Sequence, residues 1–82
     1  MLIWYKRGGT MYGERLRKAR KANKKTLVQV GRIMNMSHSA ISRFENENRK
    51  IEPETLAQFC RLYKVSADYI LGLPQDMPYP KD

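Results

Sequence analysis

Apolar residues recur three and four positions apart along most of this chain, and they do not alternate in the two-residue rhythm of a strand. Over residues 11–22, Tyr12, Leu16 and Ala19 share one helical face with Arg20 at its margin, and the other face is nearly all lysine and arginine. Asn23-Lys24-Lys25 interrupts that pattern. Thr26 is suited to cap a second helix over residues 27–34, in which Val30 and Met34 stand one turn apart. Asn35 tolerates the left-handed backbone conformation and predicts a tight turn. Ser37 then caps a third helix over residues 38–46, with Ala40, Ile41 and Phe44 as its buried stripe. Pro53 suits the first turn of a fourth helix, where Leu56, Phe59, Cys60 and Tyr63 repeat at i, i+3, i+4 and i+7. Ser66 caps a short fifth helix holding Tyr69, Ile70 and Leu71, and Gly72 followed by Pro74 ends it. The pattern predicts an all-α fold of five helices.

The polar positions of the third helix separate it from an ordinary solvated one. In the stretch SHSAISRFENE, residues 37–47, the outward positions are His38, Ser39, Ser42 and Arg43, with no acid on that face. A solvated helix usually mixes charges spaced for i, i+4 pairs. The second and third helices, joined by about three residues around Asn35, also form a recognisable unit, the helix-turn-helix. A turn that short makes the helices cross steeply, so the later one stands out from the domain and is narrow enough to enter a major groove. Arginine bonds guanine bidentately there, and hydroxyls bond several base edges.

Composition narrows the choice. At 82 residues the chain holds one small domain. We divide it into an N-terminal extension or arm over residues 1–10, the helical domain over 11–73, and a proline-rich tail over 74–82, expected to be extended. The formal charge is +8, and residues 1–25 carry nine bases against one acid, Glu14, so the whole excess lies at one end. Such a surface attracts polyanions. With one cysteine, Cys60, and one histidine, His38, the sequence offers neither an internal disulfide nor a zinc site, and Cys60 falls on an apolar stripe as a core residue. No metal or cofactor is expected. There are no paired carboxylates or activated nucleophile to suggest an enzyme. No apolar run approaches the roughly 20 residues that span a bilayer, and the basic residues of MLIWYKRGG follow its apolar part, the reverse of a secretion signal. A cytoplasmic location is expected.

From residue 11 to 73 the chain resembles the phage-repressor/Cro type of helix-turn-helix domain, the xenobiotic-response-element family of bacterial and phage regulators. The likeness is carried by GERLRKARK, Thr26, MSHSAISRFEN and ETLAQFCRLYKVSADYILGL, about three quarters of the chain. It implies a five-helix, lambda-repressor-like fold and sequence-specific binding to double-stranded DNA. Position by position, it implies that His38, Ser39 and Arg43 reach base edges with Ser42 beside them. It implies phosphate contacts from Thr26, Asn46 and Lys50, to which the adjoining loop residues Asn48 and Arg49 are added. It also implies a buried ion pair between Arg20 and Glu45.

The sequence departs from the family pattern at three places. Leu27 stands where a glutamine is usual, leaving only backbone N–H groups to hold phosphate at that helix start. Gly31 replaces a common alanine, an expected cost of about 1 kcal/mol in helix stability. Glu47 replaces a usual glycine and is uncomfortable in a left-handed cap, so the third helix is expected to run on.

The leading functional expectation is a repressor that binds a two-fold symmetric operator as a homodimer. The second helix carries no acid, whereas activators of this family often touch RNA polymerase through an acidic patch there. The alternative is an antitoxin or anti-regulator that chiefly holds a protein partner, suggested by the apolar second helix (Leu27, Val28, Val30, Ile33, Met34) and by Leu2-Ile3-Trp4-Tyr5. Those four N-terminal residues are candidates for an arm or dimer contact. Covering the domain's own core, meeting a second copy, and belonging to an extension ahead of a natural start at Met11 remain open readings of them.

Overall fold

The computed structural model describes residues 11–74 together with Pro78 and Pro80. The expected contacts of Leu2, Ile3, Trp4 and Tyr5, and most of the tail, lie outside the described residues. Five helices follow in order: α1 (Met11–Ala22), α2 (Leu27–Met34), α3 (His38–Glu45), α4 (Pro53–Tyr63) and α5 (Ala67–Leu71). The described residues contain no strand. The fold is all-helical, as the apolar spacing predicts.

Local chemistry sets the helix ends. The Thr26 hydroxyl accepts the Gln29 N–H at 3.1 Å, and the Gln29 side-chain oxygen accepts the Thr26 N–H at 2.8 Å, a complete capping box. Ser37 and Ser66 accept the N–H groups of Ala40 and Tyr69, each at 3.1 Å. Asn35, Lys64 and Gly72 end α2, α4 and α5 in the left-handed conformation.

One core joins all five helices. Leu16 and Ala19 of α1, Val30 of α2, Ile41 and Phe44 of α3, Phe59 and Tyr63 of α4 and Ile70 of α5 are buried together. Cys60, expected in the core, is half-buried and packs against this cluster from its margin, and burial pushes its thiol pKa up. Phe44 meets Phe59 edge to face at 5.6 Å, and Phe59 stacks on Tyr63 at 5.8 Å. Each such pair adds about 0.5–1.5 kcal/mol beyond its buried area. The Asn23 side-chain amide donates to the carbonyls of Ala19 (2.8 Å) and Tyr63 (3.2 Å), tying the end of α1 to the end of α4.

The packing of α2 on α3 reverses the expectation for Gly31. A Cβ built there would lie 2.5 Å from the Met36 carbonyl oxygen and 3.3 Å from the His38 nitrogen. The Gly31 carbonyl also accepts the Met36 N–H at 2.7 Å. The glycine therefore serves the close turn between the two helices, and a helix-propensity penalty alone misdescribes it.

Candidate nucleic-acid interface

Helix α3 turns Ala40, Ile41, Phe44 and Glu45 into the protein and leaves His38, Ser39 and Arg43 exposed. Among the described residues, no hydrogen bond or ion pair engages the side chains of those three. Ser42 is half-buried, and its hydroxyl accepts the Asn46 side-chain amide at 3.3 Å. The structure thus links one expected base-reading residue to one expected phosphate-binding residue.

The flanks are built from helix ends. Thr26 is exposed but its hydroxyl is committed to the α2 cap. Leu27 is half-buried and packs on the core, so its side chain braces the helix from within. The N–H groups of Leu27 and Val28 have no acceptor among the described residues, as the first amides of a helix must. They are the donors that the start of α2 presents. Asn46, Asn48, Arg49 and Lys50 are all exposed after α3. The Arg49 guanidinium sits 5.0 Å from the centre of the Phe44 ring, which fixes a long side chain by cation–π attraction.

Here one expectation is corrected. Helix α3 stops at Glu45 and does not run on past it. Asn46 caps the helix and Glu47 takes the left-handed conformation, with φ of 59°. What outweighs the strain is tertiary: the Glu47 carboxylate accepts the Gly13 N–H of α1 at 2.9 Å. Tyr12 beside it donates its hydroxyl to the Arg49 carbonyl at 3.3 Å. Burial and the nearby Glu47 charge both raise the Tyr12 pKa, so this donor keeps its proton.

Behind α3 lies the expected ion pair. Arg20 donates to Glu45 through Nε at 2.7 Å and through a second guanidinium nitrogen at 3.1 Å. A third nitrogen donates to the Lys25 carbonyl at 3.0 Å, which anchors the loop leading into α2. The hydrogen bonds to Glu45 push the Arg20 pKa up. Arg17 stands 3.8 Å from the same carboxylate. Glu14, Arg17, Glu45 and Asn46 line an open polar cleft of about 210 Å³. That is smaller than the roughly 300–1,000 Å³ of most small-molecule sites.

Sequence reasoning overlooked Gln29, Gly13 and Arg17. For Gln29 a signal was present, since Thr26-x-x-Gln29 is the capping-box spacing. For Gly13 and Arg17 there was none, because their partners are distant in the chain. In α2, Val28 and Ile33 remain 51% and 56% exposed, apolar residues left outside as the sequence anticipated.

Comparison with known proteins agrees with this arrangement. The chain is 44% identical over 71 residues to the "Uncharacterized HTH-type transcriptional regulator YobD" of Bacillus subtilis (strain 168), a match covering 87% of this chain and 62% of that protein. It is 33% identical over 60 residues to the "HTH-type transcriptional regulator ImmR" of the same organism, covering 73% of this chain and 47% of that protein. The chain therefore spans about half to three fifths of the length of these relatives. The family described as Helix-turn-helix matches residues 16–70, from the core of α1 to the core of α5. With two thirds of its length matched, and with its turn, caps and exposed α3 face as described, the chain belongs to the Cro/C1-type helix-turn-helix family.

Proposed function

We propose that this chain is a sequence-specific double-stranded DNA-binding transcriptional regulator, acting as a repressor that binds a two-fold symmetric operator as a homodimer. The observation that carries the reading is the exposed face of α3. His38, Ser39 and Arg43 project polar groups with no partner among the described residues, beside Ser42 and the capped turn. Polar groups held ready on an exposed helix face suit the donor and acceptor pattern of a major groove. Phosphates would be held by the Leu27 and Val28 amides with Thr26 beside them, and by Asn46, Asn48, Arg49 and Lys50. These contacts fix register, and the α3 side chains read sequence. The names of the relatives, both HTH-type transcriptional regulators, support the regulatory role. The sequence of α2, LVQVGRIM, contains no acid, which favours repression.

A second reading rests on the exposed Val28 and Ile33. It makes the chain an antitoxin or anti-regulator whose main role is to hold a protein partner, with DNA secondary.

Selection from a random DNA library decides between them. Enrichment of a symmetric site whose halves lie about 34–36 Å apart supports the repressor dimer. On that site Arg43→Ala should cost about 1–3 kcal/mol and relax the preference at one base pair. Equal loss on selected and random DNA would reduce Arg43 to a phosphate contact. A pool with no enriched sequence would move the balance to the second reading.

A further inference from the structure

We infer that Glu47 is a positioning residue for DNA, clasping the loop after the recognition helix to the first turn of α1. This rests on the proposed function, because the residues it positions are the proposed phosphate contacts Asn46, Asn48, Arg49 and Lys50.

Five observations converge on it. The Glu47 carboxylate accepts the Gly13 N–H at 2.9 Å. Gly13 lies in the first turn of α1, where amides have no acceptor within their own helix and the helix dipole favours a negative charge. Any side chain at residue 13 would collide with the Glu45 carbonyl oxygen and come within 2.9 Å of the Glu47 Cγ, so a bare backbone is what lets α1 rest on the end of α3. Tyr12 holds the same loop two residues further on, through the Arg49 carbonyl. On its other side the loop is bonded back to α3, by Glu47 N–H to the Phe44 carbonyl (3.2 Å) and Asn48 N–H to the Arg43 carbonyl (2.9 Å).

The chemistry explains why an acid stands here. A free carboxylate next to phosphates would repel them. Spent on a helix-start amide, the same carboxylate holds a loop of four polar and basic residues in one shape before DNA arrives. Preorganisation of that kind lowers the ordering cost of binding. It also offsets the left-handed strain that Glu47 carries at φ of 59°.

The test compares Glu47→Gln with Glu47→Asn. Both remove the charge, so their direct effect on phosphate is the same. Asparagine tolerates the left-handed conformation well but is one methylene too short to reach Gly13. The first readout is amide exchange and chemical shift of Gly13 in the free protein, with thermal midpoints compared alongside. The second is affinity for the selected DNA site against random DNA. Glu47→Gln should keep the Gly13 signal protected and bind the site at least as well as the parent. Glu47→Asn should expose the Gly13 amide and bind the site about tenfold more weakly than Glu47→Gln, the loss expected for one well-placed hydrogen bond. Identical Gly13 protection in the two variants would show that no clasp exists. Loss of protection with equal affinity would make the clasp structural only and overturn the positioning role. A parent chain that prefers no DNA site overturns the functional reading and this role with it, while Gly13 exchange still reports separately on the clasp.

Discussion

The Glu45 carboxylate has 4% of its side-chain surface exposed, and it meets Arg20, itself 12% exposed, through two hydrogen bonds. Charges removed from water this far need full pairing, and here Arg20 spends its remaining reach on the Lys25 carbonyl. Arg20→Ala strands a buried carboxylate and should cost about 3–5 kcal/mol. Arg17 faces the same carboxylate at 3.8 Å but is 48% exposed, so Arg17→Ala should cost less than about 1 kcal/mol. Urea unfolding of the two variants checks this contrast, and equal losses would contradict it. Tyr63 offers the opposite case. Its hydroxyl is buried without a hydrogen-bond partner among the described residues, and burial, with the Glu45 charge, raises its pKa well above the ordinary value. Tyr63→Phe should be neutral or stabilise by up to about 1 kcal/mol, since no bond is lost and a desolvated group disappears. The sign with pH follows from the raised pKa. The unfolded chain releases this proton near pH 10 while the folded one retains it, so stability is full below about pH 10 and falls above it. Denaturant titrations at pH 8 and at about pH 11 should show a smaller decline for Tyr63→Phe than for the parent.

At the scale of elements, the turn between α2 and α3 pits two rules against each other. Propensity favours alanine over glycine at position 31 by about 1 kcal/mol. Geometry opposes it, because the new methyl would sit 2.5 Å from the Met36 carbonyl oxygen and 3.3 Å from the Ser37 carbonyl carbon. Backbone atoms in a turn bonded at 2.7 Å have little freedom to retreat. Gly31→Ala should therefore destabilise by about 1–3 kcal/mol, the usual cost of overpacking. A gain in stability would mean that the turn gives way easily and that α3 is not rigidly set on α2. The start of α2 is secured differently, by the reciprocal Thr26–Gln29 bonds, which leave the amides of Leu27 and Val28 open. The capped start of this eight-residue helix, beside the loop held by Arg20, is a stable platform for the neighbouring α3.

Over the whole molecule, charge is the property that acts at a distance. The +8 excess belongs to residues 1–25, and within α1 and the turn after it Arg17, Lys18, Lys21 and Lys24 are exposed. Arg20 contributes little to this field, its charge being neutralised by Glu45. With about four to six phosphates neutralised per monomer, the log–log slope of affinity against salt should be about −4 to −5 per monomer. Titrations between about 50 and 200 mM salt measure it. A slope near zero would show that the basic face of α1 points away from DNA. No helix among the described residues is long and apolar enough to cross a membrane.

What the sequence by itself determined is what local chemistry controls. Thr26, Ser37 and Ser66 start helices because a hydroxyl reaches an amide three residues on. Asn35 and Gly72 end them because they accept a positive φ, and the i, i+3, i+4 stripes told which side of each helix is buried. The exposed face of α3 was legible for the same reason, since periodicity alone turns His38, Ser39 and Arg43 away from Ile41 and Phe44. The Arg20–Glu45 pair, 25 residues apart, was anticipated through family resemblance and not through spacing. Only the tertiary structure decided the roles of Gly13, Gly31, Glu47 and Arg49. Gly13 and Glu47 are 34 residues apart, and Tyr12 and Arg49 are 37 apart. Neither a propensity nor a period carries information across such a gap. A left-handed glutamate looks like an error while only its neighbours are considered. It becomes favourable once folding brings an unpaired helix-start amide within 2.9 Å of its carboxylate, because the free energy of that contact belongs to both helices and to neither sequence segment alone.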